Sequence, residues 1–116
     1  MTPASTPNTE LALEFARAMV AGDTARAHGL LSAPLQATLT VDQLAADYAN
    51  MVADGDGPAQ VIQAMTMLSD WPDKQPDDIE WIYVAIANDM YSEAVTVVVA
   101  QEGSKLVIRS VEWGRP

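Results

Sequence analysis

Ile79-Glu80-Trp81-Ile82-Tyr83-Val84-Ala85-Ile86-Ala87 decides the fold class. A run dominated by β-branched and aromatic residues, with one charge, reads as a strand. Ala94-Val95-Thr96-Val97-Val98-Val99-Ala100 repeats the pattern with a single hydroxyl, and Lys105 to Trp113 continues it. Between these runs, Asn88-Asp89 and Glu102-Gly103-Ser104 are turn chemistry of the kind that joins antiparallel neighbours. Upstream, Val61 to Ser69 is apolar without a helical stripe and reads as a further strand. The polar loop Trp71-Pro72-Asp73-Lys74-Gln75-Pro76-Asp77-Asp78 separates it from the rest.

On the N-terminal side of Pro58 the period is helical. A first helix begins near Asn8 or Thr9 and runs to about Ala21, apolar over more than one stripe at Leu11, Leu13, Phe15, Ala16, Ala18, Met19 and Val20. Gly22 suits its stop, Asp23 caps a short second helix through about Leu31, and Ser32-Ala33-Pro34 ends that one. Thr40-Val41-Asp42-Gln43 is a capping box, with Leu39 and Leu44 placed as a hydrophobic staple. The third helix then puts Leu44, Tyr48, Met51 and Val52 on one face. The expected architecture is α+β: three N-terminal helices packed on a curved antiparallel sheet of about four strands. Residues 1–8 read as a flexible leader and 9–116 as one domain.

Length agrees, since 116 residues fall within the common domain size of ~100–150. A hydrophobic fraction of 49% excludes a disordered polymer. The absence of cysteine removes disulfides, thiolate metal sites and cysteine nucleophiles. Six basic residues against 16 acidic ones give a formal charge of −10. Nucleic-acid binding needs a basic stripe, and an anionic membrane surface repels such a chain, so neither partner is expected. From Asp42 to Glu93 the only base is Lys74. The N-terminus has no signal-peptide pattern and no apolar run is long enough to cross a bilayer, which predicts a cytoplasmic protein.

The order of elements resembles the nuclear transport factor 2-like superfamily, a cone-shaped α+β fold. The resemblance rests on Phe15-Ala16-Arg17-Ala18-Met19-Val20-Ala21-Gly22-Asp23, where a first helix ends in Gly-Asp. It rests also on Leu30-Leu31-Ser32, on the helix from Val41, and on the closing strand Leu106 to Trp113. It implies a curved sheet wrapped over the first helix. The superfamily hosts isomerases, dehydratases, carriers and adaptors, so fold alone does not choose among them. No full catalytic set of that superfamily aligns with these residues.

Local chemistry is sparse. His28, the only histidine, has no acid three or four positions away on its helix and reads as a surface or helix-end residue. Asp54-Gly55-Asp56-Gly57 begins like a calcium loop, but Pro58 and Met65 stand where a ligand and the bidentate glutamate belong, so it reads as a turn. Asp77-Asp78-Ile79-Glu80 reads as a solvated acidic run that discourages edge pairing. Met51, Met65, Met67 and Met90 favour an adaptable apolar surface or core filler. Trp81 and Tyr83 share one face of their strand, and Arg109 alternates with Val107 and Val111 on another. Together with Tyr48 they form the candidate ligand-binding set, an apolar pocket with a few polar handles. No cofactor, metal ligand set or catalytic residue is expected.

One pattern carries functional content. A sheet covered by helices on one side alternates apolar with polar. Here Trp81, Tyr83 and Ala85 stand against Ile82, Val84 and Ile86, and both sets are apolar. The expectation is a non-enzymatic domain that forms a homodimer through the exposed sheet face and holds a small apolar ligand in its cone. The alternatives are an isomerase, dehydratase or hydrolase of the same fold, and an acidic partner for a basic protein. Against the dimer stands a sheet whose far face is covered by the leader and the Trp71 loop.

Overall fold

Thr6 caps the first helix, its hydroxyl accepting from the Thr9 amide at 3.2 Å. Pro7, whose missing N–H costs nothing in the first turn, opens α1 (Pro7–Val20). The computed structural model describes residues 6–52, 59–89 and 91–114. The proposed leader up to residue 5, the Asp54-Gly55-Asp56-Gly57 turn and Met90 lie outside the described residues. Gly22, at φ +81°, takes the left-handed position expected after a helix. Asp23 then accepts from the Arg26 amide to cap α2 (Thr24–Gly29).

Two local expectations need correction. Ser32-Ala33-Pro34 does not merely stop a helix; it starts α3 (Ala33–Thr38), with the Ser32 hydroxyl accepting from Leu35 and Pro34 in the first turn. Four helices therefore precede the sheet, not three. The cap of α4 (Val41–Met51) is half of the expected box. Thr40 accepts from the Gln43 amide at 3.1 Å, while the Gln43 side chain turns forward to Asp47 at 2.8 Å. Leu44 is fully buried, and Leu39 packs against the core as a staple requires.

The sheet is an antiparallel meander in the order β1 (Val61–Leu68), β2 (Asp78–Ala87), β3 (Ser92–Glu102), β4 (Lys105–Trp113). Gly103 at φ +62° sits first in the two-residue turn between Glu102 and Lys105, the position where a type II′ turn requires positive φ. Three irregularities interrupt the ladders, at Met65, Ile79 and Arg109. Each inserts one residue and exchanges the faces beyond it.

α1 and the sheet enclose the core. Phe15, Leu31, Leu44, Ile82, Val84, Ile86, Val95, Val97, Val99 and Ile108 are all fully buried or within 1% of it. Each such side chain contributes about 1.5–3 kcal/mol of hydrophobic stabilisation. α1 buries Ala12, Leu13, Phe15, Ala16, Ala18 and Met19, the broad contact its wide apolar surface predicts. Trp113 closes the layer, 5.9 Å from Phe15 and 5.7 Å from Tyr48 between ring centroids.

Candidate functional site: the outer face of the sheet

Opposite residues in a ladder share a face, so the register builds the outer surface directly. Leu68, Trp81, Val98 and Ser110 form one row across the four strands. Thr66, Tyr83, Thr96 and Glu112 form the next. Trp81 and Tyr83 stack along β2 with centroids 6.4 Å apart and planes 16° from parallel. On β3 the outer residues are small, and Ala94, Thr96, Val98 and Ala100 are at most 6% exposed between larger neighbours. On β1 they are open: Val61 is 45% and Leu68 39% exposed.

The Trp71 loop borders half of this face. Trp71, Asp73 and Gln75 line a groove of about 370 Å³ whose other walls are Trp81, Arg109, Ser110 and Glu112, over a floor of Thr96 and Val98. The loop is held by Lys74, whose Nζ donates to the Ser69 carbonyl at 2.8 Å and lies 5.7 Å from the Trp71 ring centroid. Among the described residues, the other half, over β1 and the outer edge of β2, has no such border.

Arg109 does not alternate with Val107 and Val111 as the strand period predicts. It is the inserted residue of β4, so Val107 opposes Ala100 on the outer face while Val111 opposes Val97 on the core face. Freed from the ladder, its guanidinium grips Asp78 in a fork: Nε donates to Oδ1 at 2.6 Å and Nη2 to Oδ2 at 2.7 Å. The Asp78 side chain is fully buried, whereas Arg109 stays 35% exposed. Burial alone would raise the Asp78 pKa, but the Arg109 hydrogen bond, the Gln75 amide at 2.8 Å and the charges of Arg109 and Lys74 together hold it below the usual carboxylate range. Asp78 is thus no solvated loop acid. The inserted Ile79 puts its neighbour Glu80 on the opposite, core-facing side, across from Val99, with one carboxylate oxygen buried and without a hydrogen-bond partner.

The candidate set does not converge on one pocket. Trp81, Tyr83 and Arg109 belong to the outer face or its margin. Tyr48 packs on the core side against Trp113, its phenol pushed up to about 12 by burial and by its hydrogen bond with Tyr91. His28 tethers helices: Nε2 donates to the Leu39 carbonyl at 2.7 Å. A second cleft, about 610 Å³, lies between α3 and the β3–β4 hairpin, with Leu35, Thr38, Ala100, Val107 and Arg109 among its walls. Asp78 and the loop residues Trp71 and Asp73 escaped the sequence reading of the site. Arg109, the cation in the interior of β4 among apolar neighbours, was the one signal that a buried acid had to meet it. Among the described residues no three His, Asp or Glu side chains gather as a cation's ligand set. None of the helices is long and apolar enough to cross a membrane.

These features define an α+β domain of four helices and a four-stranded antiparallel sheet, with its unusual surface on the uncovered side. No family model matches the chain, and neither a curated protein nor a solved structure matches it.

Proposed function

We propose that this domain is a non-enzymatic interaction module that forms a homodimer through the outer face of its sheet, over β1 and β2. The observation that carries it is the open half of that face. Leu68 stands exposed across from Trp81 and Val61 across from Ala87, with the uncharged Gln63 and Thr66 between them, and Met65 at the inserted position is 55% exposed. The strand that supplies most of this surface, Val-Ile-Gln-Ala-Met-Thr-Met-Leu, has no charge in a chain of net charge −10. Large apolar side chains clustered on an uncharged exposed strand favour an interface. Two copies of an acidic protein repel at most contacts, and an uncharged strand is where they meet without that cost. A two-fold pairing closes the assembly.

The character of the fully buried side chains motivates the non-enzymatic side of this reading. A catalytic cone needs polar groups facing a cavity, and the fully buried side chains between α1 and the sheet are aliphatic or aromatic. The nuclear transport factor 2-like assignment is part of the same proposal, since helices followed by an antiparallel meander are compatible with it. Sedimentation equilibrium at micromolar concentration tests the dimer. About twice 12.4 kDa is expected, and a mass of 12.4 kDa at all concentrations would overturn it.

A further inference from the structure

The bordered half of the outer face has chemistry that self-association does not use. Its floor holds Thr96, only 6% exposed, whose side chain makes no hydrogen bond to another described residue and which lines the groove. Its hydroxyl is not among the buried atoms without a partner, so it opens onto the groove, where a ligand atom or water completes its bonding. Trp81 stands on one side of it, and Ser110 and Glu112 on the other. Two strand spacings separate those walls, about 10 Å between backbones. The rim adds Trp71 and Asp73.

The charges decide the ligand's sign. Arg109 is matched by Asp78 in the fork already described, and Lys74 at the rim offsets one of the carboxylates of Asp73 and Glu112, which leaves the groove with net negative charge. An anion is repelled here, by the groove and by the chain's charge of −10. Aromatic faces beside carboxylates attract a cation, the ring through its quadrupole and the acid through its charge. The rim already shows this chemistry, since the Lys74 ammonium sits over the Trp71 ring.

We propose that the groove between the Trp71 loop and β2–β4 binds a small organic cation of the alkylammonium class. Its charged head lies against the Trp81 ring and Glu112, and its polar tail reaches Thr96 and Ser110. A volume of about 370 Å³ suits a small molecule. The inference does not rest on the dimer: Thr96, Ser110 and Glu112 lie on β3 and β4, and Trp81 alone borders both surfaces.

Choline and benzyltrimethylammonium are the probes, titrated into the purified chain at low salt and followed by tryptophan fluorescence and calorimetry. Saturable binding at one site per chain is expected. Glu112→Gln and Trp81→Phe should each weaken it, Glu112→Gln about tenfold, the loss of one close charge–cation contact. Thr96→Val should weaken choline, which has a hydroxyl, more than benzyltrimethylammonium. The neutral isostere 3,3-dimethylbutanol should bind at least tenfold more weakly than choline, consistent with recognition of charge. Equal binding of the isostere would overturn the proposal, as would unchanged affinity in Glu112→Gln. Binding of an oligolysine peptide without binding of either probe would also overturn it, by assigning the acidic face to a protein partner. Sedimentation in the same titration keeps the dimer a separate question.

Discussion

The two edge strands of the sheet are treated in opposite ways. β4 carries Lys105, Arg109 and Glu112, is broken by an inserted residue, and has part of its free edge occupied. The Ser32 amide donates to the Ile108 carbonyl at 2.8 Å and the Ile108 amide to Leu30 at 2.9 Å, a short parallel bridge centred on Leu31. Charges, a bulge and a covering segment are three of the devices by which edge strands avoid unwanted pairing. β1 has only the bulge. It bears no charge, and Val61, Met65, Met67 and Leu68 are between 39% and 55% exposed, on both faces. Met67 faces the core side opposite Ile82 yet stays open. Protection on one edge and its absence among the described residues on the other is the contrast on which the proposed interface over β1 rests.

The largest expected effect lies on the guarded side. Arg109→Met strands a fully buried carboxylate, and removing one partner of a buried pair costs about 3–5 kcal/mol. Since a third of Arg109 is wetted, the lower end of that range applies, about 3 kcal/mol, read as a shift in the urea midpoint. Asp78→Asn should cost less, because it removes the charge that needed a partner. The acid limb follows from the same pair. The folded pKa of Asp78 lies below its unfolded value, so the pair's stabilisation is complete above about pH 4 and drains as pH falls through the folded value. Asp78→Asn should flatten that limb, and an unaltered acid limb in this variant would contradict the assignment.

What the amino-acid order makes legible depends on distance along the chain. The strands lie within two residues of where β-branched content places them, because that signal is local. Pro34 is legible only as punctuation: the same Ser-Ala-Pro suits a stop or a start, and the Ser32 hydroxyl chooses the start. The three inserted residues are not legible at all. A bulge is settled by two strands pairing, and here the three exchange the faces of Asp78, Val111 and Met67 relative to a regular period. Asp78 and Arg109 lie 31 residues apart, and nothing in the Asp77-Asp78-Ile79-Glu80 run says which acid is buried.

A middle-sized effect tests whether the open side is guarded from within. Glu80 points inward beside Ile82, near the end of β2 that pairs with β1, with one oxygen buried and unbonded. An inward charge also discourages added strands. A buried unsatisfied acceptor costs about 1–3 kcal/mol, so Glu80→Met, similar in shape, should stabilise the fold by about 1 kcal/mol. The variant should also aggregate at a lower concentration than the parent, measured by static light scattering. A loss of stability would mean that water or a neighbour satisfies this carboxylate after all.

The smallest effect on folding and the clearest on assembly is expected at β1 itself. Val61 and Leu68 oppose Ala87 and Trp81 on the outer face, and both are exposed enough for a lysine to reach water. Val61→Lys with Leu68→Lys should therefore change the unfolding free energy by no more than about 0.5 kcal/mol per site. The double variant should nevertheless sediment at 12.4 kDa, where the parent is expected at about twice that mass. Introduced lysines attract the acids of a second copy over long range, so a charge effect alone would strengthen association at low salt. Dissociation at both low and high salt would thus report the loss of apolar contact rather than a change in net charge. Lys105→Glu on β4 is the matched control, and it should leave the mass unaltered. If the β4 change dissociates the protein and the β1 changes do not, the two edges have exchanged roles and β1 is merely an uncovered strand.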